Sequence, residues 1–232
     1  MTSTAFAGIR GSLPMTERIA GILGISKVIP VVTLTDVAHA VPLADALLAG
    51  GIGIMELTLR TSEALAAIER LARDRPEVCV GGGTCRSADD LQRVTDAGAA
   101  FAVSPGSTTA LLAAARRLPV PWLPGATTLS EMMNLSDAGY TCLKLFPATS
   151  AGGIELLKAV APVFPALRFC PTGGISPDNL AAFLAQPNVS CVGGSWIAPA
   201  DLLRRAAWSD ITRNAASASS QAAASSVRKS CA

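Results

Sequence analysis

A single lysine interrupts an apolar, strand-like run in the stretch Thr141-Cys142-Leu143-Lys144-Leu145-Phe146-Pro147. Lysine is rarely buried unless it is paired or its pKa falls, because removing an ammonium group from water is costly. A lysine whose pKa falls becomes an amine nucleophile that can form a Schiff base with a carbonyl compound. Lys144 is therefore the first candidate for catalysis; the alternative is an edge strand that leaves its amine in water.

The composition is typical of one α/β domain. The chain has 232 residues, of which half are apolar and 16 % are charged, and its net charge is +2. A chain of this length can bury a full core, and α/β barrels of roughly 200 to 250 residues are ordinary. The near balance of charge predicts no nucleic-acid partner, and the lack of a long unbroken apolar run predicts no membrane span. Without a signal-peptide pattern, we expect a cytoplasmic protein.

The cysteines and the single histidine, His39, do not form a metal-binding pattern. Four of the six cysteines lie in apolar, strand-like runs, and none has the spacing of zinc ligands. We expect them to be buried, reduced thiols, and we predict neither a metal nor another cofactor. Where cleavage of a carbon–carbon bond next to a carbonyl group can use either a metal ion or an imine, the sequence favours the imine.

Short apolar runs alternate with helical segments along the chain, which is the pattern of βα units around a parallel sheet. The predicted strands cover residues 28–33, 54–58, 78–83, 101–104, 120–124, 141–146, 167–172 and 190–193. Eight units predict an α/β fold of the (β/α)8 TIM-barrel type. The competitor, a doubly wound dinucleotide-binding sheet, needs a glycine-rich turn after its first strand, and residues 28–36 contain no glycine.

The barrel is predicted to form one domain, residues 14–213, with shorter segments at each end. Residues 1–13 are expected to be a flexible N-terminus. An extra amphipathic helix, residues 14–23, precedes the first strand and could cover one end of the barrel. Residues 214–232 are rich in alanine and serine, which predicts a disordered tail.

Alternate residues of a strand share a face, so strand parity predicts which side chains meet. Glu56 shares a face with Thr58 and Arg60, and such a polar face does not suit the outside of a barrel strand. Lys144 shares a face with Phe146. We therefore expect Glu56, Arg60 and Lys144 to converge inside the barrel, near the carboxyl ends of the strands. The alternative is a structural ion pair, although interior ion pairs contribute little stability.

Glycine pairs follow the last two predicted strands, as Gly173-Gly174 and as Gly193-Gly194 before Ser195. Phosphate sites in barrels commonly form after strands seven and eight, where backbone N–H groups meet an anion. We therefore predict a phosphate site there, with tight turns as the alternative. Two further segments, Gly81-Gly82-Gly83-Thr84 and Ser104-Pro105-Gly106, are candidate walls of the same pocket, with simple turns as the alternative.

Several blocks in the same order resemble the bacterial 2-keto-3-deoxy-6-phosphogluconate (KDPG) aldolases, which include 4-hydroxy-2-oxoglutarate (KHG) aldolases. The resemblance covers residues 28–201. Its main blocks are Glu56-Leu57-Thr58-Leu59-Arg60-Thr61, Gly83-Thr84, Ser104-Pro105-Gly106, Lys144-Leu145-Phe146-Pro147-Ala148, Thr172-Gly173-Gly174-Ile175-Ser176-Pro177 and Gly193-Gly194-Ser195-Trp196.

The resemblance implies a metal-free class I aldolase, usually a homotrimer, that cleaves a phosphorylated 2-keto acid. By this resemblance Lys144 forms the Schiff base, Glu56 moves protons, and Arg60 holds the substrate carboxylate. The other implied contacts are substrate-binding Thr84, Pro105, Phe146 and Thr172, and phosphate-binding Gly173, Gly174, Gly194 and Ser195. The expected products are pyruvate and glyceraldehyde 3-phosphate, with KHG as a second substrate.

Three alternatives stay open at the level of sequence. The nearest is an aldolase for KHG or for the galactonate epimer of KDPG, because the glycine pairs and Ser195 favour a phosphorylated substrate but do not read the configuration at C4. Thr149, Cys85 and Gly82 depart from the residues common in the family, which bears on rate or substrate preference. A phosphosugar isomerase or epimerase barrel would share the glycine pairs but would need no imine-forming lysine. A non-catalytic phosphosugar-binding module is disfavoured by the set Glu56, Arg60 and Lys144.

Overall fold

The computed structural model describes residues 14 to 230, and the side chains of residues 14 to 225. The segment predicted to be flexible, residues 1–13, lies outside the described residues. The described chain alternates strands and helices in an α/β fold, as the sequence predicts. Its strands pair in parallel throughout the ladders.

The strands fall within two residues of their predicted bounds, except in the fifth predicted run. They are β1 (Val28–Val32), β2 (Ile54–Thr58), β3 (Cys79–Gly83), β4 (Phe101–Val103), β5 (Trp122–Leu123), β6 (Gly125–Ala126), β7 (Cys142–Leu145), β8 (Arg168–Pro171) and β9 (Val192–Gly194). The predicted strand 120–124 is thus replaced by β5 and β6, with Pro124 between them. Proline has no N–H to donate to a ladder, but the carbonyl of Pro124 still accepts from the N–H of Lys144 at 2.8 Å.

The helices cover the sheet and supply the apolar faces that bury it. They are α1 (Met15–Leu23), α2 (Ala40–Ala49), α3 (Ala64–Asp74), α4 (Ala88–Asp96), α5 (Thr109–Ala115), α6 (Leu129–Asp137), α7 (Gly153–Val160), α8 (Pro177–Leu184), α9 (Ala200–Arg204) and α10 (Trp208–Ser230). In α1, the predicted extra helix, Ile19, Ile22 and Leu23 are buried. Their i, i+3, i+4 spacing places them on one face of the helix.

Strand order follows chain order, which curls the sheet. One ladder of six strands runs β5-β4-β3-β2-β1-β9, and a second ladder of three runs β6-β7-β8. Isolated bridges join Phe169 to Val189 and Thr172 to Gly193, at the start and just beyond the end of β8. The carboxyl ends of the parallel strands therefore gather at one side of the fold.

The structure corrects the prediction of a disordered tail for residues 214 to 225, which continue helix α10. Ala215, Ala218 and Ala222 are buried along this helix. The hydroxyls of Thr212 and Ser219 donate to the carbonyls of Ala46 and Gly50 in and just after α2, at 3.0 and 3.2 Å. Alanine has the strongest helix propensity, and small side chains allow two helices to approach closely, so composition alone gave a misleading signal.

Residues 231 and 232 lie outside the described part of the chain. Between residues 14 and 230, no helix combines the length and the apolar character needed to cross a membrane.

Candidate active site

Lys144 and Glu56 form a buried ion pair on the inner faces of β7 and β2. Lys144 Nζ donates to both carboxylate oxygens of Glu56, at 3.0 and 3.1 Å. Lys144 is 5 % exposed and Glu56 is 4 % exposed. Strand parity predicted that these side chains would point inward and meet, and the structure brings them together across 88 residues of sequence.

Room for the Glu56 side chain is provided by Gly83 on the neighbouring strand. Thr58 and Gly83 are partners in the β2–β3 register. A Cβ atom at Gly83 would lie only 2.5 Å from Glu56 Cγ and 2.6 Å from Glu56 Cδ, closer than real Cβ contacts allow. The Gly-Gly-Gly end of β3 therefore has a steric role in the site, which strand parity could have indicated.

A cavity of about 520 Å³ opens above Lys144 at the carboxyl ends of the strands. It brings together most of the residues singled out from sequence. Those that line it are Arg60, Thr84, Pro105, Lys144, Phe146, Thr172, Gly173, Gly174 and Ser195. Glu56 does not itself line the cavity, but it contacts Lys144, which does. The Phe146 ring centroid is 5.6 Å from Lys144 Nζ, so the ring also faces the cation.

Thr84 reaches the cavity from an unusual backbone conformation. Its φ is +63°, in the left-handed region that a β-branched residue rarely adopts. The next residue, Cys85, donates its N–H to the carbonyl of Val103 at 3.0 Å and so ties this turn to β4. Such strain persists where the surrounding structure holds it, often at functional sites.

The glycine pairs take different places in the structure. Alternation along β9 puts Gly193 and Ser195 on the cavity side, whereas Gly194 does not line the cavity. The indole ring of Trp196 lies against Gly194, where a Cβ atom would overlap it. Gly173 does line the cavity, with a φ of +97° that favours glycine.

Two side chains hold the Gly173-Gly174 turn by its carbonyls. The Thr149 hydroxyl donates to the Gly173 carbonyl at 3.3 Å, and Asn179 Nδ2 donates to the Gly174 carbonyl at 2.9 Å. A trans peptide places the next N–H on the side opposite the carbonyl. The N–H groups of Gly174 and Ile175 therefore point away from these two side chains, and both residues line the cavity.

Sequence reasoning missed part of the cavity wall. Val31 and Thr33, at the end of β1, line it, as do Trp196 and Leu203 of the segment after β9. Val31 and Thr33 share the inward parity of their strand, so parity applied to the first run would have found them. Leu203 lies on α9, whose position only the packing of the chain determines.

Two of the buried cysteines, Cys85 and Cys142, do not supply a competing nucleophile at this cavity. Burial raises the pKa of the Cys85 thiol to about 12, and burial also raises the pKa of Cys142. A thiol is nucleophilic, and binds metals, as the thiolate. Within residues 14 to 230, no cluster of three or more histidine, cysteine or acidic side chains is arranged to hold a metal ion.

An amine in contact with a carboxylate, at the carboxyl ends of parallel strands and below an open cavity, can form an imine with a carbonyl compound. The amine supplies the nucleophile and the carboxylate can accept or return protons. The fold and this pair of residues thus define an α/β enzyme with a Schiff-base site.

Comparison with known proteins identifies the family. Residues 19–214 match the family model described as KDPG and KHG aldolase. The KHG/KDPG aldolase of Escherichia coli strain K12 is 47 % identical over 192 residues, 83 % of this chain and 90 % of that protein. The chain belongs to the KDPG and KHG aldolase family.

Two solved structures agree with this assignment. The KDPG aldolase of Legionella pneumophila, with pyruvate captured as a covalent carbinolamine intermediate, is 44 % identical and has a TM-score of 0.85, covering 86 % of this chain and 97 % of that one. The aldolase of Zymomonas mobilis ZM4 with 3-phosphoglycerate is 40 % identical, with a TM-score of 0.82 and coverages of 88 % and 96 %.

Proposed function

We propose that this chain is a class I aldolase that cleaves KDPG to pyruvate and glyceraldehyde 3-phosphate, with KHG as a second substrate. The observation that carries the proposal is the contact between Lys144 Nζ and the Glu56 carboxylate beneath an open cavity. The family assignment and the pyruvate carbinolamine of the Legionella relative support the same chemistry.

The reaction starts when a proton passes from Lys144 Nζ to Glu56, which leaves a neutral amine. The amine attacks the C2 ketone to form a carbinolamine, and Glu56 returns a proton so that water leaves and a protonated imine forms. The imine nitrogen is then an electron sink for the carbons next to it.

Cleavage begins when Glu56, now a carboxylate, removes the proton of the C4 hydroxyl. The C3–C4 bond breaks, its electron pair moves toward the imine nitrogen, and glyceraldehyde 3-phosphate leaves with the former C4 as its aldehyde carbon. Protonation of the enamine at C3 and hydrolysis of the imine release pyruvate and restore Lys144. One carboxylate next to the nucleophile serves every proton transfer in this sequence.

The remaining cavity residues divide into two substrate-binding groups. Arg60 presents a guanidinium group that can bind the keto-acid carboxylate through two parallel hydrogen bonds, with Thr84 beside it. Pro105, Phe146 and Thr172 form the wall between the two ends of the substrate. The phosphate group is bound after β8 and β9 by Gly173, Gly174, Gly194 and Ser195. Every residue of these two groups except Gly194 lines the cavity, which supports their role in binding the substrate. The structure of the Zymomonas relative with 3-phosphoglycerate supports a phosphorylated substrate.

The proposal also includes a closed (β/α)8 barrel, a homotrimer and a cytoplasmic location. The two bridges between the β8 and β9 regions, and the continuous chain through Pro124, support closure. The homotrimer, and a role in the Entner–Doudoroff pathway, rest on the family resemblance. The cytoplasmic location rests on the composition of the chain.

The test is borohydride trapping with pyruvate, followed by peptide mass mapping. We expect one reduced pyruvyl adduct, on Lys144, and no adduct in the Lys144→Ala variant. Lys158, an exposed residue paired with Glu155 at 2.8 Å, offers a matched control, because Lys158→Ala should trap like the wild type. Folded wild-type protein that forms no adduct would instead favour the phosphosugar isomerase class. Rates on KDPG, its galactonate epimer and KHG then rank the substrates.

A further inference from the structure

Thr33 lies at the rim of the cavity, directly after β1, and has no role in the chemistry described so far. It is half-buried and lines the cavity. Val31 pairs with Glu56 in the β1–β2 register, so Thr33 lies level with Thr58, one inward-facing position nearer to the cavity mouth. Its hydroxyl oxygen is 2.8 Å from that of Thr58.

The direction of this hydrogen bond follows from the second contact that Thr58 makes. Thr58 Oγ1 is 3.1 Å from the carbonyl oxygen of Val32, which can only accept. Thr58 is buried and has one hydroxyl proton, and both of its contacts are hydrogen bonds only when that proton goes to Val32. The contact between the two hydroxyls is then a hydrogen bond only if Thr33 donates to Thr58.

With its proton committed to Thr58, Thr33 presents only lone pairs to the cavity. It therefore selects a ligand group that donates a hydrogen bond. Carboxylate, ketone, aldehyde and phosphate dianion oxygens are acceptors, and pyruvate contains no hydroxyl group. The donors of a phosphorylated hydroxy keto acid are its hydroxyls, which lie in the half that leaves as the aldehyde.

We infer that Thr33 binds the substrate hydroxyl on the carbon next to the phosphate-bearing carbon, the C5 hydroxyl of KDPG. The inference rests on the proposed aldolase function. In that mechanism the C4 hydroxyl gives its proton to Glu56, and Thr33 lies nearer to the mouth than Glu56. The C5 hydroxyl, between the reacting carbons and the phosphate, is the donor that remains for Thr33. Thr33 is thus a specificity residue for a 2-hydroxylated aldehyde phosphate.

The test compares two aldehydes that differ by this one hydroxyl. Pyruvate is added to glyceraldehyde 3-phosphate or to 3-oxopropyl phosphate, which lacks only the 2-hydroxyl, and kcat/KM is measured for each aldehyde. The readout is kcat/KM for glyceraldehyde 3-phosphate divided by kcat/KM for 3-oxopropyl phosphate. This ratio is compared between the wild type and Thr33→Val, which keeps the shape of threonine without its hydroxyl. Thr33→Ser restores the hydroxyl and is the matched control. Borohydride trapping with pyruvate reports on the integrity of each variant's lysine site.

We expect the ratio to fall about 3- to 10-fold in Thr33→Val, the scale of one neutral hydrogen bond, and to stay within about twofold of the wild type in Thr33→Ser. An unchanged ratio in Thr33→Val overturns the inference, whether both rates persist or both fall equally. A wild-type protein that traps pyruvate but adds it to neither aldehyde removes the proposed function and this inference together. A ratio that falls in Thr33→Val and is kept in Thr33→Ser supports both the proposed function and the role of Thr33.

Discussion

Glu56 and Lys144 are held in a place where an ion pair contributes little to stability. Both side chains are nearly inaccessible, and desolvation of two charges offsets most of their mutual attraction. Removing either partner would leave the other charge buried, at a cost of about 3 to 5 kcal/mol. A hydrophobic pair would serve the core as well, so this arrangement is best explained by the reaction that its two groups can carry out together.

Gly83 permits this arrangement because it has no side chain to collide with Glu56. In Gly83→Ala the new Cβ atom would displace the Glu56 side chain. A shift of about 1 Å in a reacting group can cost about 100-fold in rate, and we expect a loss of kcat on that scale. Turnover of KDPG measures it.

Gly82→Ala is the control for Gly83→Ala. Its Cβ atom would crowd Val94 on the opposite face of β3 and would not touch Glu56. Both variants should lose stability through overpacking, by about 1 to 3 kcal/mol, in urea unfolding. Equal rate losses in the two variants, after correction for the folded fraction, would contradict the role given to Gly83.

Among the helices, α6 offers a pH-dependent contribution that can be measured. Glu131 closes a capping box with Thr128 at the start of this helix. Burial favours a raised pKa for Glu131, but hydrogen bonds from the N–H groups of Thr127 and Thr128, each 2.8 Å long, lower the pKa below its ordinary value of 4.5. A lowered pKa means that the folded state favours the carboxylate. Its stabilisation is therefore present above about pH 4.5 and is lost as the pH falls through the lowered pKa.

We predict that Glu131→Gln lowers the free energy of unfolding by roughly 0.3 to 1 kcal/mol at pH 7, the scale for a charge at an exposed helix N-terminus. The difference from the wild type should shrink as the pH falls below 4.5. Urea unfolding of both proteins between pH 3 and pH 7 measures this. A difference that stays constant over the range would show that the charge of Glu131 makes no contribution.

The close contact between helices α10 and α2 depends on small residues. Gly50 ends α2, and a Cβ atom there would overlap Ala215 and lie 2.8 Å from the carbonyl oxygen of Thr212. The hydroxyl of Ser219 reaches the carbonyl of Gly50 because the two helices approach so closely. The last part of the chain is in this way fastened to one of the first helices of the fold.

Deleting the chain after Asn214 therefore tests how much the packing of α10 stabilises the fold. The deletion removes the buried methyl groups of Ala215, Ala218 and Ala222. Each buried methyl group contributes about 0.8 kcal/mol, so we expect a loss of about 2 kcal/mol and a Tm lower by roughly 4 to 8 °C. Thermal unfolding measures it. Deletion after Ser225 is the control, since it keeps these positions, and equal Tm values for the two truncations would contradict the packing role of α10.

Much of the fold and the site could be predicted because the relevant signals are local. Apolar runs and their spacing indicate the βα order, and alternation along a strand places Glu56 and Lys144 on inner faces. The Gly173-Gly174 turn follows β8, where its positive φ values suit glycine. The position of Gly194 could not be predicted in this way, because a glycine pair alone does not tell which member faces the cavity.

The sequence by itself determined the parallel α/β pattern and the inward direction of the chemically active side chains, since both follow from neighbours a few residues apart. Only the tertiary structure decided the break at Pro124, the space that Gly83 leaves for Glu56, and the docking of α10. It also brought the hydroxyl groups of Thr33 and Thr58 into contact. These features depend on which distant segments come into contact, and contacts between distant segments are set by packing of the whole chain.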